Sequence, residues 1–88
     1  MKVYKKYLPI NTNCPIYTDV QGKLLTVEKQ RNQIVIYFDA DTEYYHKYLI
    51  YLVETGKDID VQDTQYLKTL MLFDGDYVIH VFIKELEE

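Results

Sequence analysis

A mainly β domain is what this 88-residue chain predicts: six or seven short antiparallel strands curled into a small sandwich or barrel, with little helix. Three observations lead there. Apolar residues recur with period two in runs of strand length. Gly, Pro, Asn and Asp fall mostly between those runs, where they act as turns. Asp74 and Gly75 separate two runs rich in β-branched and aromatic residues, the strongest hairpin signal in the chain. A chain of this length buries roughly 60–68% of its unfolded surface, enough for one core without disulfide or metal staples, so residues 1–88 form a single domain.

Taken in order, residues 2–8 alternate loosely and form a first strand. Residues 11–15 are turn-rich, and Pro15 holds Cys14 away from helix, so the chain bends before a short strand at 16–20. Gln21 and Gly22 make the next turn. In residues 23–31 Leu25 and Val27 face the core while Thr26, Glu28 and Gln30 face water. A polar break at Arg31, Asn32 and Gln33 joins this strand to a dense apolar run at 34–38 as a hairpin. Residues 39–43 are a charged surface connection. Residues 44–53 fit a helical stripe with Asp41 as N-cap as well as a strand; four tyrosines with Ile50 and Val53 favour the strand. Residues 57–64 read as an acidic loop. Residues 66–73 and 77–83 pair across Asp74, Gly75 and Asp76, with Tyr77, Ile79, Val81 and Ile83 toward the core and Val78, His80 and Phe82 opposite. Residues 84–88 form a frayed, charged tail.

Composition excludes several classes of function. One cysteine, Cys14, makes no internal disulfide and no structural zinc site, which points to a reducing compartment. No apolar run has the length of a signal peptide or a membrane span, so a cytoplasmic protein without a membrane role is expected. The net charge of −4 is unevenly placed. Residues 1–31 carry six Lys and Arg against two acids, whereas residues 32–88 carry four Lys against twelve Asp and Glu. Such a body repels a phosphate backbone and attracts a basic partner. The plainer account of the same charges is that they occupy solvated strand faces and loops.

No catalytic constellation emerges. His46 and His80 have no His or Cys at ligand spacing and read as hydrogen-bonded or solvent-facing side chains. Counting from Asp39, a calcium loop needs glycine at its sixth position and a carboxylate at its twelfth; Tyr44 and Ile50 stand there instead, and Asp58, Asp60 and Asp63 fail the same pattern. There is no glycine-rich phosphate loop and no serine elbow, and Cys14 reads as an incidental thiol. Ten tyrosines are the unusual feature. Tyrosine joins a large apolar ring to a hydroxyl, which suits a small β core and equally suits an interface. Lys2, Tyr4, Lys5, Lys6 and Tyr7 form the one basic patch interleaved with aromatics, a weak signal for single-stranded nucleic acid.

Lys23, Leu24, Leu25, Thr26 and Val27, the strand ending at Asp39, Thr55 and Gly56 with Ile59, Tyr66 and Leu67 with Thr69, Gly75, and His80, Val81 and Phe82 together resemble a family of small uncharacterised phage and prophage proteins. The resemblance covers nearly the whole chain, including the opening strand that ends in Leu8, Pro9 and Ile10. Tyr37 stands where that family often has a Trp-containing strand, and Glu54 and Lys57 flank the Thr-Gly turn differently. No activity, cofactor or catalytic residue comes with it; it implies a phage-encoded accessory protein in the bacterial cytoplasm. The expected function is binding without chemistry, metal or cofactor. It would inhibit or redirect a host protein, with a nucleic-acid-binding protein or a component of antiviral defence as candidates. The expected contact residues are Tyr37, Asp39, Asp41, Glu43, Tyr44, Tyr48, Asp58, Asp60 and Asp63. A nucleotide-sequestering homo-oligomer and a structural subunit of a phage particle or replication complex are the alternatives.

Overall fold

Runs of period two joined by short turns favour sheet along most of this chain. The computed structural model describes residues 1–40 and 45–86. They form β1 (Val3–Leu8), β2 (Ile16–Gln21), β3 (Lys23–Gln30), β4 (Gln33–Asp39), β5 (Tyr45–Glu54), β6 (Gln65–Leu72), a 3-10 turn (Phe73–Gly75) and β7 (Tyr77–Leu86). Every pairing is antiparallel. A three-stranded sheet runs β1-β4-β3 and a four-stranded sheet runs β2-β5-β7-β6, stacked as a sandwich. Among the described residues no helix is long and apolar enough to cross a membrane.

Alternation supplies the core. Ile34 and Ile36 of β4, Ile50 and Leu52 of β5, Leu70 and Leu72 of β6 and Ile79 and Val81 of β7 meet between the sheets. Each is a β-branched or leucine side chain on the inward half of its strand, so the packed layer follows directly from the period-two pattern. Residues 45–54 are strand, as their tyrosine and β-branched content favours. β7 continues to Leu86 rather than fraying after Ile83, because Lys47 and Tyr48 of β5 pair with Leu86 and Glu85.

The predicted phase of β3 is wrong at one position. A bulge between Leu24 and Thr26 inserts Leu25 as an extra residue, so Leu24 is buried and Leu25 is 43% exposed. A matching bulge in β6 falls between Tyr66 and Lys68. These edge strands of the two sheets approach each other, and the Lys68 ammonium is paired with the Glu28 carboxylate across the seam. The β6–β7 turn also differs slightly. Phe73 leaves the strand and joins Asp74 and Gly75 at positive φ (53°, 56° and 90°), while the Asp76 N–H donates to the Phe73 carbonyl.

The chain passes from one sheet to the other at Gly22. Its φ is +146°, and a Cβ there would stand 2.0 Å from the Asp39 carbonyl oxygen. A second constraint governs the segment between β5 and β6. These strands run parallel with β7 between them, so residues 55–64 must cross β7. The three-stranded sheet occupies the inner side. Ile59 and Asp60 lie beside Tyr51 near the β2 edge, whereas Asp63 and Thr64 lie beside Ile83 and Lys84. The segment is therefore a strap over the outer face of the four-stranded sheet.

Gly22→Ala should cost more than about 3 kcal/mol, because backbone has to move, whereas Gly56→Ala, at φ +87° with open space around it, should cost about 1–2 kcal/mol. Urea unfolding checks both. Thr18 is buried in the core and its hydroxyl has no hydrogen-bond partner, so Thr18→Val should raise stability by about 1 kcal/mol in the same measurement.

Candidate functional site

Outward-facing residues of the four-stranded sheet form rows across its strands. Tyr51, Phe82 and Tyr66 stand opposite one another, followed by Val53, His80 and Thr69; Tyr17, Leu49 and Lys84 make a row on the other side. Tyr66 and Phe82 meet edge to face with centroids 5.6 Å apart. Val53, Leu49, Tyr51 and Phe82 are wholly or partly covered, whereas Tyr17 and Tyr66 at the two sides of the sheet are 55% and 53% exposed. This apolar outer face is unusual for a surface sheet, whose solvent side ordinarily alternates to polar residues.

A line of hydrogen bonds crosses the face. The Tyr66 hydroxyl is 2.7 Å from the Thr69 hydroxyl, which is 2.9 Å from His80 Nδ1; His80 Nε2 is 2.8 Å from the Thr55 hydroxyl. Thr55 and His80 have the reach of a nucleophile and base, but the group behind the imidazole is a hydroxyl rather than a carboxylate. His46 is held by Glu85, Nδ1 to Oε1 at 2.6 Å, and stacks on Tyr48. At the far end of the sandwich Glu54 accepts from the hydroxyls of Tyr77 and Thr12. The bond from Tyr77, then that from Thr12, holds the Glu54 carboxyl below its usual range, and the same contact pushes the Tyr77 phenol up. Among the described residues no group of three His, Cys, Asp or Glu side chains is placed to hold a metal ion.

The strap carries Asp58, Asp60 and Asp63, all exposed. Asp60 Oδ1 accepts the Gln62 N–H at 3.0 Å, which fixes the loop locally, and Asp63 sits at φ 59°. Two other hollows flank the sheets. One of about 560 Å³ opens where the bulges part β3 from β6, over Leu24, Leu67, Ile83 and Tyr48, with Lys23, Lys84, Asp63 and Glu85 also lining it. The other, about 470 Å³, lies between the β1 and β2 edges, and Lys2, Tyr4, Lys6, Asp19, Phe38 and Tyr45 are among the residues that line it. The basic amino-terminal patch is thus divided. Lys5 and Tyr7 point the other way, with the Lys5 ammonium 5.2 Å from the centre of the Tyr7 ring.

The residues expected at a binding surface do not form one patch. Asp58, Asp60 and Asp63 all lie on the strap but are spread along it, Asp60 on the side of Tyr51 and Asp63 on the side of Ile83 and Lys84. Tyr37 and Asp39 lie on the outer face of the three-stranded sheet, on the opposite side of the sandwich. Asp41, Glu43 and Tyr44 lie outside the described residues. Tyr48 is a correction: it is 3% exposed and faces the core, where its hydroxyl accepts the Leu24 N–H at 3.1 Å and so ties β5 to β3. Burial raises the Tyr48 pKa; the Leu24 bond opposes this and the Glu85 charge adds to it. Sequence reasoning missed Tyr17 and Tyr66 as exposed rings at the two sides of the outer sheet face. The outward placement of Val78, His80 and Phe82 was the available signal.

The fold and this surface define a small all-β sandwich that presents an aromatic face under an acidic strap. The chain belongs to the DUF7352 family, a domain of unknown function whose match covers residues 1–88. No curated protein and no solved structure matches it.

Tyr48→Phe should lower stability by about 1–3 kcal/mol, since it leaves the Leu24 N–H without its acceptor. Tyr48 and Tyr77 both have raised values, so their contribution is complete below the ordinary tyrosine pKa of 10.0 and is lost as pH rises above it. Glu54 works in the opposite direction: its contribution is present above the ordinary value of 4.5 and is lost as pH falls below it. Thermal unfolding across this range should show a loss of stability at both ends, and Tyr48→Phe should flatten the alkaline limb.

Proposed function

We propose that this protein is a phage-encoded accessory domain that acts by binding a host cytoplasmic protein, and that it inhibits or redirects its target by covering a basic surface. The observation that carries this reading is the placement of Asp58, Asp60 and Asp63, all exposed, on a strap over a sheet face flanked by Tyr17 and Tyr66. Exposed tyrosines over an apolar base supply contact area at small entropic cost, and the carboxylates steer a positively charged partner. A nucleic-acid-binding protein, including one that serves antiviral defence, presents such a basic surface. Carboxylates spaced along a loop can occupy it in place of phosphates.

A second reading rests on the groove between β1 and β2, where Lys2 and Lys6 stand beside Tyr4 and Tyr45. Two ammonium groups and two exposed rings match the phosphate and base of a nucleotide, which an oligomer of this domain would sequester. A thermal-shift series with nucleotides tests it: stabilisation that grows with ligand concentration supports it, and none at millimolar ligand removes it.

The first reading is tested by capture from bacterial lysate with wild type and with the combined Asp58→Asn, Asp60→Asn and Asp63→Asn variant. Wild type should hold a partner at low salt and release it at high salt, and the variant should hold at least about tenfold less with an unchanged circular dichroism spectrum. No partner at either salt, or equal capture by the variant, sinks this assignment.

A further inference from the structure

We propose that His80, acting through Thr69, decides whether the Tyr66 hydroxyl meets a docking partner as acceptor or as donor, so that protonating His80 weakens docking of a basic surface. This rests on the docking reading above for its biological sense, but the coupling itself is a property of the isolated chain. The three distances from Tyr66 to Thr69, Thr69 to His80 and His80 to Thr55 are all within hydrogen-bond range, 2.7, 2.9 and 2.8 Å. A neutral imidazole has one N–H and one lone pair. The coupling requires the neutral imidazole to be the Nε2–H tautomer, in which His80 donates to Thr55, Nδ1 accepts from Thr69, and Thr69 accepts from Tyr66; the Nδ1–H tautomer would leave Tyr66 unchanged on protonation. The exposed Tyr66 oxygen then offers lone pairs outward, which suits an incoming Lys or Arg N–H. Protonated His80 donates from both nitrogens. Thr69 must accept from it, and its own hydroxyl proton has only the Tyr66 oxygen among these partners. Tyr66 then points its proton outward, toward groups that also donate.

The new positive charge acts in the same direction, against a basic partner. Around His80, Val53 faces it from β5, Thr69 from β6 and Thr55 from the strap's start. The titratable or charged groups near it are Tyr66 on β6, Tyr51 on β5, Lys57 and Asp58 beyond Thr55, and Lys84 along its own strand. Among the described residues none of these forms an ion pair with the imidazole. The polarity of the line is therefore set by the imidazole proton.

Two measurements test this, both on the full chain. In the first, side-chain NMR follows the His80 imidazole and the Tyr66 ring from about pH 8 to about pH 5.5, a range in which Asp stays ionised and imidazoles titrate. Tyr66 should shift with the His80 midpoint in wild type and should cease to follow it in Thr69→Val, an isosteric change suited to a strand. A wild-type Tyr66 that ignores His80, or a Thr69→Val protein in which Tyr66 still follows, overturns the coupling. In the second, affinity for an octa-arginine peptide is measured at the same two pH values. It should fall about three- to tenfold on acidification in wild type and by less in Thr69→Val. An equal fall in both overturns the role of Thr69. Failure of the peptide to bind at pH 8 overturns docking at the strap, whatever the NMR shows.

Discussion

β7 lies between β5 and β6, and the outer side of the four-stranded sheet is arranged as it is because of that insertion. Two parallel strands with a third between them cannot be joined by a tight turn. The ten residues from Thr55 to Thr64 therefore travel across the sheet, and the inner route is closed by the packed side chains of the other sheet. A segment forced to the outside can bring down Ile59 and Val61, both half-buried, while its aspartates stay in water. The acidic loop and the aromatic sheet face thus become one surface although they come from separate parts of the chain.

The unequal width of the two sheets has its own consequences. Three strands cannot cover four, so the edges of the sandwich are left partly open and hollows form along both seams. Exposed strand edges invite unwanted pairing. Here β3 and β6 each carry a bulge, the Lys68–Glu28 pair spans the gap between them, and Tyr48 takes up the Leu24 N–H from inside the core. At the other seam stand Lys6 of β1 and Lys2 just before it, cations that discourage a second chain from adding there. The same lysines line the β1–β2 groove together with Asp19, whereas the strap carries aspartates. The protein therefore separates its charges by place as well as by sequence.

Two of the polar clusters are best understood as fastenings. Glu54 with Tyr77 and Thr12 joins β5, β7 and the loop before β2, and His46 with Glu85 closes the other end of β5 and β7. The line through His80 differs from both. It ends at an exposed tyrosine hydroxyl on the outer face, so its internal state can be felt by whatever lies on that face.

Strand identity was legible from residues because period-two patterning is local: Ile34 to Phe38 and the Tyr77–Ile83 alternation read as strand without reference to partners, whereas residues 44–53 fitted a helical stripe as well and leaned to strand only on their tyrosine and β-branched content. Leu25 was misread since a bulge depends on what the neighbouring strand can pair with, which no single run contains. Tyr48 and Tyr66 are chemically identical, yet one accepts a backbone N–H in the core and the other stands in solvent. Alternation within β5 and β6 says only that two faces exist; which face meets the second sheet is settled by strand order. Sequence by itself determined the all-β class, most turns and the acidity of residues 58–63, because these follow from side-chain volume, backbone freedom at Gly and Asp, and formal charge. Only the tertiary structure decided that the strap carrying Asp58, Asp60 and Asp63 crosses the outer side of the four-stranded sheet while Tyr37 and Asp39 lie on the opposite side, since that depends on β7 pairing between β5 and β6 across long stretches of chain.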